Sequence, residues 1–255
     1  MSLSDLLERP GLKVGTYIGE FATPGIGGIL ASAGCEFAFV DMEHSGFGFE
    51  TAGQVLRNVQ GAGLATFLRV PSDARHHVQR AADIGAEGVI LPMVGSAEQA
   101  RAAVAALKYP PEGERGVILG VAHDDYQPQP IAEAFAAANR KTCLVPLIET
   151  AEGVENCDAI CAEPGVDAIW IGHLDLSSSL GIPGAFESSR FTEAVTQIMH
   201  SAKTHGVAVG QLVNSADDGA ACYRQGSDLI CYSGDVWLLR QALADGLAGI
   251  RAKLT

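Results

Sequence analysis

The sequence predicts one α/β domain with the architecture of a (β/α)8 barrel, also called a TIM barrel. Eight short runs rich in β-branched and aromatic residues recur along the chain, and helix-forming stretches separate most of them. The length of 255 residues is also typical of a single barrel of this kind. We therefore expect residues 1–255 to form one barrel domain.

The strands and helices alternate in a regular order. The predicted strands are residues 14–18, 37–42, 66–70, 88–92, 143–148, 168–171, 207–213 and 229–232. The clearest helical stretches are residues 51–62, 97–107 and 191–205. A doubly wound open sheet is the alternative fold. The glycines of residues 25–28 disfavour it, because they follow the first strand too late and lack the spacing of a dinucleotide-binding turn.

The connection between the fourth and fifth strands, residues 95–142, is unusually long. After the helix it contains two prolines and two glycines within residues 109–116, which indicate irregular chain. Long loops in a compact barrel tend to act as lids or subunit contacts. We therefore expect His123, Asp124 and Asp125 to form a lid over the functional site of the same barrel or a contact with the functional site of a neighbouring subunit.

Composition excludes several classes of partner. The formal net charge is −13, whereas nucleic acids and anionic membranes attract clustered Lys and Arg. No apolar run of about 18 residues predicts a membrane span, and the N-terminus does not resemble a secretory signal. Six scattered cysteines without a CxxC pair suggest reduced thiols in a cytoplasmic protein. Cys157 and Cys161 are four residues apart, but no second pair follows to complete a zinc site.

Polar residues follow four of the predicted strands at their C-terminal ends. Chemistry in a (β/α)8 barrel takes place at this end, where the ends of all eight strands meet. The residues concerned are Asp41, Glu43, His44, Arg69, Glu149 and Asp175. The sequence therefore predicts that several acids, a histidine and an arginine converge on one rim of the barrel.

Glu149 and Asp175 are the predicted metal ligands. They follow adjacent strands, and two carboxylates with room for water suit Mg²⁺, Mn²⁺ or Co²⁺. The structural alternative is that Glu149 caps the next helix and that Asp175 begins a turn. Two buried carboxylates would need a cation or an arginine in either case, because an unpaired buried charge is costly.

His44 is the candidate general base, because the pKa of histidine lies near neutrality and a carboxylate can orient its ring. Asp41 is the expected partner, and Glu43 is the alternative, since the phase of a strand end is uncertain from sequence. A histidine that is partly buried and hydrogen-bonded to a neighbour remains the structural alternative.

Arg69 ends an apolar strand, and its planar guanidinium matches a substrate carboxylate. An ion pair with Glu43 or Asp41 is the alternative, and the two roles are compatible. The five lysines of the chain fall before a strand, on a helix or in the tail. A Schiff-base mechanism therefore lacks a lysine at the C-terminal end of any predicted strand.

Six motifs, in this order and spacing, carry a resemblance to a known family. They are FAFVDMEH (residues 37–44), RVP (69–71), GAEGVILPMV (85–94), KYPPEGERG (108–116), IET (148–150) and GVDAIWIGHLDLS (165–177). Over nearly its whole length the chain resembles the HpcH/HpaI aldolase and citrate lyase family, in its metal-dependent pyruvate aldolase branch.

The resemblance implies a hexamer of barrels in which the last helix is often exchanged between subunits. It implies a divalent metal ion and no organic cofactor, with Glu149 and Asp175 as ligands, His44 and Asp41 as the base dyad, and Arg69 near the oxo acid. The substrates would be 4-hydroxy-2-oxo acids, cleaved to pyruvate or a close relative, such as hydroxypyruvate, and an aldehyde.

The chain departs from the family pattern beside the expected metal site. His173 stands where the family usually has a proline, and Leu147 stands where some members carry a glutamine that reaches the oxo acid. We expect Leu147, Gly172, His173 and Leu174 to bind substrate, with the backbone amide near Leu174 holding the oxo acid. Residues 120–126 lack the arginines of several diacid-cleaving members, which argues against a dicarboxylic substrate.

Two other functions remain open from the sequence. A CoA-ester lyase of the same family would need a basic groove for the CoA phosphates, and the acidic chain shows no cluster of Lys and Arg that would form one. A catalytically silent barrel could bind a metabolite and regulate a partner. The intact set of polar residues at the strand ends argues against this second alternative.

Overall fold

The computed structural model describes residues 2–254 and shows a closed barrel of eight parallel strands in chain order. The strands are β1 (Lys13–Ile18), β2 (Phe37–Asp41), β3 (Ala65–Arg69), β4 (Gly88–Leu91), β5 (Cys143–Ile148), β6 (Ala168–Ile171), β7 (Ala208–Val213) and β8 (Leu229–Gly234). The first and last strands pair with each other, which excludes the doubly wound open sheet. The predicted (β/α)8 barrel is confirmed, and no predicted strand end differs by more than two residues.

Helices follow every strand and surround the barrel. They are α1 (Leu3–Glu8), α2 (Ile26–Ser32), α3 (Phe49–Gly61), α4 (Arg75–Asp83), α5 (Ala97–Leu107), α6 (Ile131–Lys141), α7 (Ala151–Glu155), α8 (Cys157–Cys161), α9 (His173–Ser179), α10 (Ser189–His205), α11 (Ala216–Gln225) and α12 (Asp235–Ala252). The predicted bounds of α5 are confirmed, because Ser96 and Gln99 form a capping box at its start. Helix α10 begins two residues before its predicted start, where the Ser188 side chain caps it.

Aromatic side chains fill the barrel interior. Phe37, Phe67 and Trp170 pack edge to face, with ring centroids 5.4 to 6.2 Å apart. Glycine at position 210 makes room for this layer, since a Cβ atom there would lie 2.2 Å from the Trp170 ring. The aromatic layer therefore fills the barrel interior and forms the floor of any cavity at the C-terminal ends of the strands.

Helix α1 covers the N-terminal end of the barrel, because Leu3 and Leu6 are completely buried in the interior cluster. The long connection between β4 and β5 contains a 3₁₀ helix at Ala122–Asp124 and the helix α6, which the sequence analysis did not predict. Five of the eleven residues of α6 are alanine, the residue with the highest helix propensity, and this composition was the available signal. Both elements pack outside the barrel, against α1 and α4.

Helix α12 differs from the other long helices, because none of its residues is buried within the described chain. Its contacts with the barrel are to the neighbouring strands β1 and β8. Across residues 2–254, every helix is too short or too polar to cross a membrane. Exchange of α12 between subunits, which the resemblance implies, concerns an assembly that a single chain does not test.

Candidate active site

The two-residue repeat of the strands gathers polar side chains at one end of the barrel. On β2, Phe37 and Phe39 belong to the interior cluster, and Asp41 follows in the same phase. On β5, Leu147 belongs to that cluster, and Glu149 follows two residues later. The inward-facing residue that follows the aromatic floor on each of these strands is therefore an acid.

A cavity of about 730 Å³ opens above the aromatic floor. Eight of the predicted site residues line it: His44, Arg69, Leu147, Glu149, Gly172, His173, Leu174 and Asp175. Asp41 lies just outside the cavity wall and is completely buried. The structure thus brings together the residues that follow β2, β3, β5 and β6, as the sequence predicted.

Glu149 is buried, with 3% of its surface exposed, and the backbone N–H of Met93 donates a hydrogen bond of 2.7 Å to its Oε1. Met93 has a φ of 58°, a left-handed conformation that is rare for a non-glycine residue. Burial raises the pKa of Glu149 to about 7, and the negative charges of Glu43 and Asp175 raise it as well. Glu149 is therefore held in place, but its charge is left poorly compensated by the protein.

The raised pKa of Glu149 predicts how stability depends on pH when divalent metal is removed by chelation. Between its ordinary value of 4.5 and about 7, the folded state binds this proton more tightly than the unfolded state, so stability falls as pH rises. We expect Glu149→Gln to remove up to about 3 kcal/mol of this pH-dependent loss. Urea unfolding of both proteins at pH 4.5 and 8 measures the difference.

Glu155→Gln is the matched control for that measurement, because it removes an exposed carboxylate from the neighbouring helix α7. An equal change of slope in Glu155→Gln and Glu149→Gln would show that the effect follows from net charge and not from the buried carboxyl of Glu149.

Gly172 is required for the position of Glu149. A Cβ atom at position 172 would lie 2.6 Å from Glu149 Oε2 and 2.7 Å from Glu149 Cβ. We expect Gly172→Ala to displace the carboxylate and to weaken Mn²⁺ binding at least about tenfold, measured by calorimetry. Gly28→Ala, at a helix position with open space around its Cβ, is the control. Unchanged Mn²⁺ affinity in Gly172→Ala would show that the position of Glu149 does not depend on glycine at position 172.

The remaining acids make the site chemically suited to a divalent cation. Asp175, the third residue of α9, is exposed on the cavity wall. Glu43 Oε2 is buried and lies 3.0 Å from Arg69 Nη1, yet it accepts no well-formed hydrogen bond within residues 2–254. In that same part of the chain, no three His, Cys, Asp or Glu side chains form a complete cage. Glu149 and Asp175 fit a hard cation that keeps water or substrate as further ligands.

Arg69 is fixed by two acids. Its Nε and Nη2 donate hydrogen bonds of 2.7 Å to the two carboxylate oxygens of Asp41, and Glu43 pairs with Nη1. The guanidinium also lies 5.5 Å from the centre of the Phe39 ring. Both ion pairs considered from the sequence are therefore present, and they orient Arg69 while it lines the cavity.

The structure does not pair the Asp41 carboxylate with the imidazole of His44. Asp41 instead accepts a hydrogen bond of 3.2 Å from the backbone N–H of His44. Burial opposes the charge of Asp41, but the two hydrogen bonds and the charge of Arg69 outweigh it and lower the pKa of Asp41. The acid nearest to the ring is Glu43, with 3.8 Å between its Oε2 and His44 Nε2. Glu43, the alternative left open by the sequence, is thus the closer partner.

The residues at the start of α9 form another wall of the cavity. His173 packs edge-on against Phe186, with ring centroids 5.4 Å apart, and burial lowers the pKa of His173. Leu174 is 62% exposed at the cavity. Leu147 is buried in the floor and is paired in register with Trp170. The two departures from the family pattern therefore place the aromatic His173–Phe186 pair beside the start of α9 and an apolar side chain, Leu147, in the floor.

His123, Asp124 and Asp125 do not line the cavity of their own chain. His123 is buried, and its Nε2 lies 2.9 Å from the backbone oxygen of Ile118. Asp124 accepts a hydrogen bond of 2.5 Å from the backbone N–H of Gly120. The structure places these residues on the outside of the barrel beside α4, so a lid over the same chain's site is not formed.

Several residues of the cavity wall were missed by the sequence analysis. They are Tyr17, Phe39, Trp170, Ile171, Phe186, Leu212, Asn214, Tyr232, Ser233, Trp237, Leu238, Arg240 and Gln241. Tyr17 could have been found, because it is paired in register with Phe39 and so lies in the same two-residue phase as Asp41. Trp237 and Arg240 lie on α12. The sequence analysis selected residues at the C-terminal ends of strands, so it could not select residues of a helix.

No lysine reaches this cavity within residues 2–254. Lys13 begins β1 at the opposite end of the barrel, and Lys108 is buried beyond α5, where its ammonium donates to the backbone oxygens of Asn139 and Thr142. A Schiff base would need an amine beside the acids described above. The described residues therefore place no amine at this site for a Schiff base.

Comparison with known proteins identifies the family. The model of the family described as HpcH/HpaI aldolase/citrate lyase matches residues 20–242. A 5-keto-4-deoxy-D-glucarate aldolase from Klebsiella pneumoniae subsp. pneumoniae is 33% identical over 214 residues, which is 84% of this chain and 83% of that protein.

Two solved structures share both fold and sequence with this chain. An HpcH/HpaI aldolase from Desulfitobacterium hafniense DCB-2 superposes with a TM-score of 0.92 at 35% identity, covering 98% of this chain and 97% of that one. A family protein from Burkholderia cenocepacia J2315 has a TM-score of 0.90 at 28% identity, covering 98% of each chain. The protein belongs to the HpcH/HpaI aldolase/citrate lyase family, and it is a carbon–carbon lyase of the aldolase type.

Proposed function

We propose that this protein is a metal-dependent aldolase that cleaves or forms 4-hydroxy-2-oxo acids, with pyruvate or hydroxypyruvate as donor and an aldehyde as acceptor. The observation that carries the proposal is the grouping of Glu149, Asp175 and Arg69 around one cavity that no lysine among residues 2–254 lines. The metal would be Mg²⁺, Mn²⁺ or Co²⁺, and no organic cofactor is needed. Two acids that can hold a metal, an arginine and no nearby lysine together fit a site that stabilises negative charge without a Schiff base.

The names of the relatives support this substrate class. A 5-keto-4-deoxy-D-glucarate has an oxo group beside a carboxylate and a hydroxyl two carbons further on, so it is a 4-hydroxy-2-oxo acid. It is also a dicarboxylate, a class that the sequence analysis argued against from residues 120–126. We propose the shared 4-hydroxy-2-oxo acid unit as the substrate, with the far end of the molecule left to experiment.

Glu149 and Asp175 would hold the cation, and their oxygens are the hard ligands that such metals prefer. When bound, the cation supplies a positive charge that stabilises the enolate form of the 2-oxo acid. Arg69, already oriented by Asp41, presents a fixed positive charge to the oxo-acid end of the substrate. Gly172, His173 and Leu174 at the α9 start form the wall beside this end, and Leu147 lies beneath it.

His44 moves the proton. Its ring is 63% exposed at the cavity, so it can reach a substrate hydroxyl directly or through one water. In cleavage it would accept the proton of the 4-hydroxyl, and in synthesis it would accept a proton from the methyl carbon of pyruvate. Glu43 lies closest to the ring and would stabilise its protonated form.

Pyruvate in D₂O tests this proposal directly. We expect the methyl signal in NMR to lose intensity by exchange when Mn²⁺ or Mg²⁺ is present, and to be retained when metal is chelated. This half reaction needs no aldehyde, so it separates an enolate-forming enzyme from a barrel that only binds a metabolite. Absence of exchange with every divalent metal would reject the proposed function, and an aldehyde panel would follow a positive result.

We also propose that the protein forms a homo-oligomer, a hexamer by the family resemblance, through α12. Four apolar residues lie on one face of this helix with 48% to 59% of their surfaces exposed: Leu239, Leu243, Leu247 and Ile250. We expect Leu243→Glu to reduce the mass measured by light scattering, since it places a charge in the covered face. Asp245→Asn is the control, and an unchanged mass in Leu243→Glu would contradict this use of α12.

The six cysteines support a proposed location in the cytoplasm. None of them forms a disulfide in the structure, and four are buried in apolar surroundings. A reducing compartment keeps such thiols in this state. The proposed partners are accordingly a small 2-oxo acid, an aldehyde and other copies of the same chain, with no role for nucleic acid or a membrane.

A further inference from the structure

Asp41 is the buried centre of the network that orients Arg69. Besides the two Arg69 hydrogen bonds, it accepts backbone hydrogen bonds from Glu43 and His44. One further side chain reaches it, since the Tyr17 hydroxyl donates a hydrogen bond of 2.8 Å to Oδ2. Burial and the Asp41 charge raise the pKa of Tyr17 above its ordinary value, so the hydroxyl keeps its proton and acts as a donor.

The Tyr17 ring is held from the last helix. It stacks on Trp237, with ring centroids 5.2 Å apart and planes inclined by 24°, and it also contacts Phe39, with centroids 5.8 Å apart. A Cβ atom at Gly234 would lie 2.7 Å from the Tyr17 ring and 2.8 Å from Trp237. A Cβ atom at Gly19 would lie 2.4 Å from the Tyr17 hydroxyl. Glycine at both positions therefore leaves the space that this pair occupies.

The first turn of α12 is anchored to the end of β1, although the rest of the helix is exposed. Asp235 Oδ2 accepts hydrogen bonds from the backbone N–H groups of Gly19, Glu20 and Phe21, at 3.2, 2.9 and 2.8 Å. Trp237, the third residue of α12, stacks on the Tyr17 ring and lines the cavity. The start of the last helix and the end of the first strand thus form one unit.

We propose that Tyr17 is a positioning residue for the substrate-binding arginine, and that Trp237 of the last helix holds Tyr17 in place. The chain of contacts runs from Trp237 through the Tyr17 ring and hydroxyl to Asp41, and from Asp41 to Arg69. This inference rests on the proposed function, in which Arg69 binds the oxo acid. The first turn of α12 thereby contributes to the binding of the 2-oxo acid. The position of that helix against β1 affects the affinity for this substrate.

Tyr17→Phe and Trp237→Ala test the two links separately. Tyr17→Phe keeps the stacked ring and removes the hydrogen bond, whereas Trp237→Ala keeps the hydroxyl and removes the stack. We expect each to raise the KM for pyruvate in the metal-dependent exchange reaction about tenfold, with kcat within about twofold of wild type. Trp237→Phe should restore most of the affinity, and Tyr223→Phe, an exposed tyrosine on α11, is the control.

The double variant Tyr17→Phe, Trp237→Ala decides whether the two residues act in series. Residues that act through one contact chain are not additive, so we expect a KM close to that of the worse single variant. A hundredfold rise, the product of the two single effects, would overturn the coupling. An unchanged KM in Tyr17→Phe, or a loss confined to kcat, would overturn the positioning role. Failure of the proposed function would appear differently, as absence of exchange in the wild-type protein.

Discussion

Glu149→Ala is expected to abolish metal-dependent turnover. The variant removes the one carboxylate of the proposed pair that is buried and held by a backbone hydrogen bond. We expect the affinity for Mn²⁺ to fall at least about 100-fold and the exchange rate of pyruvate to fall by about 10³. Calorimetric titration with Mn²⁺ and NMR of the pyruvate methyl group measure the two losses independently.

The comparison with Asp175 sharpens this test. Asp175→Ala should weaken metal binding as well. Because Asp175 is exposed on the cavity wall, its replacement leaves the cavity floor undisturbed. Glu152→Ala removes an exposed acid from α7 near the same rim and serves as the control. Normal Mn²⁺ affinity in Glu149→Ala would remove Glu149 from the ligand set, whatever happened to the activity.

His44→Ala is expected to lower kcat by about 10² to 10⁴, the usual contribution of a general base, while Mn²⁺ affinity stays within about threefold of wild type. The physical reason is that the ring faces the cavity but proton transfer, not metal binding, is its proposed task. Steady-state kinetics of pyruvate exchange and calorimetry on the same samples separate the two effects. Added imidazole should recover part of the rate.

His200→Ala on α10 is the control, because His200 lies outside the cavity wall. If His44→Ala lost metal and activity together, His44 would belong to the metal site and not to proton transfer. Glu43→Gln and Asp41→Asn then ask which acid assists the ring. The geometry favours a kcat effect for Glu43 and a KM effect for Asp41, because Asp41 is committed to Arg69.

The strand-end residues show how far sequence reasoning reaches. Asp41 and Arg69 end their strands and Glu149 directly follows one, and the two-residue repeat of these strands is visible in the sequence. A closed parallel barrel brings such ends together. The convergence of these side chains on one cavity was therefore predictable once the barrel was. From the sequence, the ion pair of Arg69 with Asp41 or Glu43 is only an alternative and the acid that lies beside His44 stays open, because these pairings depend on side-chain rotamers. The imidazole of His44 turned out to lie nearer to Glu43 than to Asp41.

Residues of the long connection and of the last helix were harder to place. His123 looked like a polar residue of a lid, but it is buried against Ile118 and Tyr109 on the outside of the barrel. Trp237 carried no sequence signal, because its position depends on how α12 leaves β8. In both cases the path of the backbone outside the regular βα repeat decides the contact, and no periodicity encodes that path.

The sequence by itself determined the barrel, the end at which the polar residues meet, and the family. These follow from local patterns that repeat every two residues in strands and from motifs of fixed spacing. The tertiary structure alone decided that Asp41 serves Arg69, that Gly172 leaves room for Glu149, and that α12 reaches the site through Trp237 and Tyr17. Such contacts join residues distant in sequence. Asp41 meets Arg69 because β2 pairs with β3, Gly172 meets Glu149 because β5 pairs with β6, and Trp237 meets Tyr17 because β8 closes against β1.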